Sequence, residues 1–151
     1  MLDTIEIDKI LRWEKSTTIS FRGVYSSDEL PATTPTSSLY VINTDPSTKP
    51  GEHWVVVYIG VKRHCDYFDS FGRVPLVKSI ENFVNKNSKA CTFNDRVVQS
   101  PLSTACGFHC VYFAVRRCLG LDMNSIVGMY TDNLSQNDEI VRKYVVNMMK
   151  Q

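Results

Sequence analysis

The 151-residue chain reads as one α+β domain spanning residues 1–151, with a small central sheet packed against helices. Three observations predict this. The run Trp54-Val-Val-Val-Tyr-Ile59 is β-branched and aromatic throughout and follows the turn signals Asp45-Pro46 and Pro50-Gly51, the pattern of a central strand. Ala105 to Leu119 is the most apolar segment; its fifteen residues and the Gly120 stop give it the length of a buried helix rather than a strand. Composition, at 43% hydrophobic and 22% charged, allows a real core and argues against both a disordered chain and a small disulfide knot.

The remaining elements follow in order. Ile5, Ile7, Ile10, Leu11 and Trp13 recur at helical spacing among charged residues, so an amphipathic helix is expected over Asp3 to Lys15, with Asp3 or Thr4 as N-cap. Ser26 to Ser38, rich in Ser, Thr and Pro, reads as a surface loop leading to a strand at Leu39 to Asn43. Gly60 to His64 is a polar turn and Cys65 to Ser70 a short strand, which makes a hairpin with Trp54–Ile59. Val77, Ile80, Phe83 and Val84 predict a further helix, and the loose alternation from Thr92 to Gln99 predicts a strand ending at Gln99. Arg116 and Arg117 fall in the last turns of the apolar helix, where cations suit the helix dipole. A C-terminal helix opens near Ser135 and carries Ile140, Val141, Tyr144, Val145 and Met148; no internal repeat is present.

A formal charge of +1 gives no global electrostatic case for a nucleic-acid or membrane-surface protein. No apolar run approaches the ~20 residues of a membrane span, and the opening stretch, with Asp3, Glu6, Asp8 and Glu14, is too acidic for a leader peptide. Five cysteines without paired spacing fit free thiols in a reducing compartment.

Cys106 stands where a loop becomes the apolar helix, and the unpaired N–H groups and positive dipole end of a helix favour a thiolate there. Position alone leaves a small buried hydrophobe as the alternative; for Cys65, Cys110 and Cys118, inside apolar elements, that alternative is stronger. A nucleophilic thiol needs a base, and there are three histidines. His109 shares the rigid helix with Cys106, one turn on, with little freedom to align. His64 lies in a polar turn beside Lys62 and Arg63. His53 closes a Gly-containing loop and opens the central strand, and is the best base. The orienting carboxylate falls to Asp66 or Asp69. A Gly60-Val61-Lys62 hairpin loop sets Val57 opposite Cys65 and His53 opposite Asp69, with Asp66 pointing away, although the turn does not fix that register. Gln99, seven residues before Cys106, has an amide suited to an oxyanion donor, with a solvated polar side chain as the alternative. A zinc site from Cys106, His109, Cys110 and the distant His64-Cys65 is the rival use of these residues, but it lacks a second compact ligand pair.

Gly51-x-His53-Trp54, then Tyr67-Phe68-Asp69-Ser70-Phe71-Gly72, then Gln99-Ser-Pro-x-Ser-x-x-Cys106-Gly107-x-x-Cys110 closely resembles the cysteine endopeptidases of adenoviruses and of related virus-like DNA transposons. The resemblance runs from about Arg22 to Leu119 and includes Gly23–Pro31 and Ile42-Asn43-Thr44. It implies a papain-like (adenain-like) fold, with Cys106 as nucleophile, His53 as base, Asp69 as orienter, Gln99 as oxyanion donor and Trp54 walling the site. It further implies a protein substrate, namely capsid or other structural precursors cut at small, Gly-rich sites, no required cofactor, and a virion or host nuclear or cytoplasmic location. Adenoviral enzymes are also stimulated by DNA and by a short peptide that attaches through a disulfide; Cys91, eight residues before Gln99, occupies a similar place. Asp69 departs from the Glu usual in adenoviral enzymes and matches SUMO-specific proteases of the same wider fold group. An isopeptidase for ubiquitin-like tails, or an inactive binding module, are therefore the alternatives.

Overall fold

A computed structural model describes residues 1–51 and 53–151. Helix α1 (Thr4–Trp13) is closed by a capping box in which the Asp3 side chain accepts from Glu6 N and the Glu6 side chain accepts from Asp3 N. Strands β1 (Phe21–Ser26), β2 (Ser38–Asn43), β3 (Trp54–Ile59) and β4 (His64–Phe68) follow, then helix α2 (Lys78–Asn87) and strand β5 (Ala90–Phe93). Three helices complete the chain: α3 (Cys106–Cys118), α4 (Met123–Val127) and α5 (Leu134–Met149).

The five strands make one sheet in chain order, β1-β2-β3-β4-β5. The centre, β2-β3-β4, is antiparallel and the two flanking pairs are parallel. Both faces are covered, which is why β2 and β3 read as continuous apolar runs rather than alternating ones. Leu39, Val41, Trp54, Val56 and Phe68 meet the helical core that includes Ile7, Leu11, Val111, Phe113 and Val141. Tyr40, Ile42, Val55, Val57, Ile59 and Tyr67 meet Ile80, Phe83 and Val84 of α2. Helix α3 is fixed to the first face by the Phe68–Phe113 stack, with centroids 4.5 Å apart, and by the Arg117 Nε–Asp66 Oδ2 pair at 2.8 Å, the guanidinium lying over the Tyr58 ring. This mixed architecture, a five-stranded sheet packed between helices, is the α+β class that the sequence predicts.

Three sequence readings are corrected, and two elements are added. The strand placed at Thr92–Gln99 is the shorter β5, and Gln99 lies beyond it in a bend, because the chain leaves the sheet at Asn94 to bind Asp69. The strand read to Ser70 stops at Phe68. The β3–β4 register pairs Val57 with Tyr67 and Ile59 with Cys65, two residues from the expected one; a connection built on a 3₁₀ turn at Val61–Arg63, with Lys62 and Arg63 at positive φ, occupies more chain than the expected Gly60-Val61-Lys62 loop. A shift of two keeps every side chain on its expected face. Finally, β1 and α4 are elements that the sequence reading left unassigned: β1 carries Gly23 at φ 135° with a register break and shows no regular alternation, and α4 is only five residues long.

Candidate active site

The site forms where the ends of β3 and β4 meet the N-terminus of α3. Gly51 has φ +91°, and a Cβ there would stand 2.2 Å from the Asn43 amide nitrogen, so only glycine permits the close turn that delivers His53 to the head of β3. Asp69 follows β4 directly. Cys106 is the first residue of α3, after Ala105 as N-cap, whose side chain makes no capping hydrogen bond. Gly107 lets α3 approach α1: an added Cβ would lie 3.1 Å from Leu2 Cβ and 3.2 Å from Ile7 Cδ1.

His53, Asp69 and Cys106 are brought together. His53 Nε2 donates to Asp69 Oδ1 at 2.8 Å, and the Cys106 side chain lies close enough to the imidazole to raise its proton affinity. Burial pushes the His53 pKa down, but the bond to Asp69 and then the Cys106 side chain, with their charges, outweigh it and raise the value to about 9. The imidazole is therefore an imidazolium at neutral pH. Phe71 stacks on its other face, with centroids 5.0 Å apart, and the site is nearly closed, His53 being 8% and Cys106 3% exposed.

Several supporting residues went unnoticed in the sequence. Asn94 clasps the Asp69 backbone, its Oδ1 accepting from Asp69 N at 2.9 Å and its Nδ2 donating to Asp69 O at 2.6 Å. Phe71 N donates to Asp69 Oδ1 at 2.8 Å, and Arg73 Nε stands 3.7 Å from Oδ2. Ser70 stitches the Gln99 segment to this turn: its carbonyl accepts from Val98 N and Gln99 N, and its hydroxyl donates to Gln99 Oε1 at 2.5 Å. Gln99 is thus fully buried rather than a solvated side chain, with Nε2 donating to Ser103 O at 3.0 Å and Ser103 Oγ at 3.1 Å. The Asp69-Ser70-Phe71 text carries these roles through its turn, a signal visible only once the carboxylate is placed.

The other singled-out residues lie elsewhere. His109 is wholly buried; its Nε2 donates to Asp138 Oδ1 at 2.8 Å and its Nδ1 accepts from Tyr130 Oη at 3.1 Å, tying α3 to α5. Burial holds its pKa below the ordinary value despite Asp138. His64 is exposed and bonds Thr92 Oγ1. Cys110 donates to the Trp54 carbonyl at 3.3 Å, and burial pushes its thiol pKa well up. Trp54 packs in the same core as Cys106, its indole N–H buried without a partner among the described residues. Cys91 is half-buried on the edge strand β5. Among the described residues, no cluster of three or more His, Cys, Asp or Glu is arranged to hold a metal.

No protein-family model and no curated protein matches the sequence. Solved structures do match. The crystal structure of the pS273R protease of ASFV superposes with a TM-score of 0.61 at 14% identity, over 91% of this chain and 64% of that one. A selenomethionine crystal structure of the same protease gives 0.51 at 18% identity, over 66% and 41%. The central domain of the uncharacterized Lpg1148 protein from Legionella pneumophila gives 0.53 at 11% identity, over 87% and 88%. The chain spans less than two thirds of the length of the viral protease it matches, and at these identities the likeness is one of fold.

Proposed function

We propose that this chain is a cysteine endopeptidase in which Cys106 is the nucleophile, His53 the acid–base, Asp69 the orienter and Gln99 an oxyanion donor. The observation that carries the reading is the Asp69–His53–Cys106 array on a helix N-terminus, with an imidazole held charged in a nearly closed site. The thiolate attacks the scissile carbonyl, and the oxyanion is held by α3 backbone N–H groups and the Gln99 amide, which must turn one N–H from Ser103 to the substrate. The imidazolium protonates the leaving amine, giving an acyl-enzyme and a neutral His53. That base then takes a proton from water, whose oxygen displaces the thiolate and releases the acid.

The proposed substrates are viral or virus-like structural protein precursors cut at small, Gly-rich sites inside the virion or the infected cell. The second reading, processing of a ubiquitin-like modifier, is favoured by one feature, the Asp at position 69. No requirement for DNA is expected, since basic residues are engaged within the fold: Arg117 pairs with Asp66 and Arg63 donates to the Thr34 and Asn87 carbonyls. Basal turnover without DNA is expected, with no cofactor and at most modest stimulation by a peptide through Cys91. The test is cleavage of candidate capsid precursors and of ubiquitin-like fusions, with the products sequenced, by wild type and Cys106→Ala. Cleavage by wild type alone, after a small residue, supports the endopeptidase. Cleavage confined to the fusions selects the second reading, and a wild-type chain inert to substrates and to thiol-directed probes is a binding module.

A further inference from the structure

Cys65 and Cys91 are outside the catalytic array and face each other. In the parallel β4–β5 ladder Cys65 is the direct partner of Cys91, so the two side chains leave neighbouring strands on the same face of the sheet. Neighbouring strands run roughly 4.8 Å apart, inside the ~4.4–6.8 Å Cα window of a disulfide. Cys65 is wholly buried under α2, whereas Cys91 is half-exposed at the edge. The pair therefore has an outer thiol that a small molecule reaches and an inner one that it does not.

We propose that Cys65 and Cys91 form a redox-active dithiol that closes to an intrachain disulfide by exchange with a low-molecular-weight disulfide of the glutathione class. The Cys91 thiolate attacks one sulfur of oxidised glutathione and expels one glutathione thiolate, leaving a mixed disulfide on Cys91. Cys65 gives up its proton, attacks the Cys91 sulfur and expels the second glutathione. Two protein thiols are oxidised and one disulfide is reduced to two thiols, so the exchange balances. The contact with Cys91 and burial hold the Cys65 pKa high, so the inner sulfur is inert to external reagents and reacts only once Cys91 carries a leaving group. The crosslink joins β4 to β5 just ahead of Asp69 and Asn94, the two residues that clasp beneath His53. It also withdraws Cys91 from any incoming cysteine-bearing peptide, a consequence that rests on the peptide route proposed above.

The dithiol itself does not depend on protease activity, and its test is independent of turnover. The full chain carrying Cys106→Ala is equilibrated with oxidised glutathione, alkylated and mapped by mass spectrometry. The expected result is loss of both Cys65 and Cys91 as alkylatable thiols, a mass lower by two hydrogens, and a linked Cys65–Cys91 peptide. Adding Cys65→Ala should instead trap a glutathione adduct on Cys91, and adding Cys91→Ser should leave Cys65 free. A persistent glutathione adduct on Cys91 while Cys65 is present, or a Cys91 that stays free throughout, overturns the proposal.

Discussion

Replacing Asp69 by Asn removes one charge at nearly constant volume and asks what holds His53 protonated. In the native site burial is the largest single influence and acts downward, yet the pKa stands at about 9 because the Asp69 bond and charge, together with Cys106, exceed it. Without the Asp69 charge, burial is opposed only from the Cys106 side, and the imidazole should return to about 6.5 or lower. At pH 7.5 a group at about 9 is ~97% protonated and one at about 6.5 only ~10%, so the imidazolium population falls about tenfold. Lost orientation of the ring comes on top. The same shift is a stability statement: the folded value lies above the ordinary 6.5. Its contribution, about 3 kcal/mol, is therefore fully present below pH 6.5 and disappears as pH rises through about 9. Two measurements read this. NMR titration of the His53 ring should move from about pH 9 in wild type to about 6.5 in Asp69→Asn, and the wild type alone should lose unfolding free energy between those pH values. A His53 that still titrates above pH 8 in the variant would refute the assignment of Asp69 as the group that holds it charged.

Gln99→Ala should lower kcat on the order of 10²–10³ with little effect on KM, whereas exposed His64→Ala should leave turnover intact; equal damage by both with the fold preserved would reassign the base and the donor. Gly72→Ala should destabilise the chain by about 1–3 kcal/mol in denaturant melts and slow turnover, because Gly72 has φ +69° and its added Cβ would stand 2.9 Å from the Arg96 carbonyl carbon, beside the Asp69 turn. Asp138→Ala strips the buried His109 of its acceptor and should cost about 1–3 kcal/mol, most visible at neutral pH. In the wild type, His109 has a folded pKa below its ordinary value, so the stability it confers is present above the unfolded pKa and is lost as pH falls; urea midpoints across the acid range measure it.

The central strands and α3 were legible because both are extreme in composition, one β-branched, the other long and apolar. His53 and Cys106 were legible because they sit at element ends, where residue type and position jointly limit the chemistry; between Asp66 and Asp69 the residues alone left the choice open, and the resemblance singled out Asp69. What stayed hidden depended on contacts distant in sequence. Thr92–Gln99 alternates like a strand, yet Asn94 finds better partners in the Asp69 backbone than in a sheet ladder, so β5 ends early. For Gln99 the sequence left a solvated side chain open beside the oxyanion donor, and its burial follows only from Ser70 and Ser103, which satisfy both ends of its amide. His109 and Asp138 look like unrelated polar residues, and only the packing of α3 on α5 makes them a buried pair.

The strands lie side by side in the order in which they occur in the chain, and α3 comes after all of them. During synthesis the imidazole and carboxylate therefore leave the ribosome, and their sheet can assemble, before the sulfur emerges. Until α3 docks on the completed sheet, Cys106 is a thiol on a nascent helix, apart from His53 and Asp69. The same docking event that closes the apolar core joins sulfur to imidazole, so the array proposed as catalytic exists only once the tertiary structure is complete.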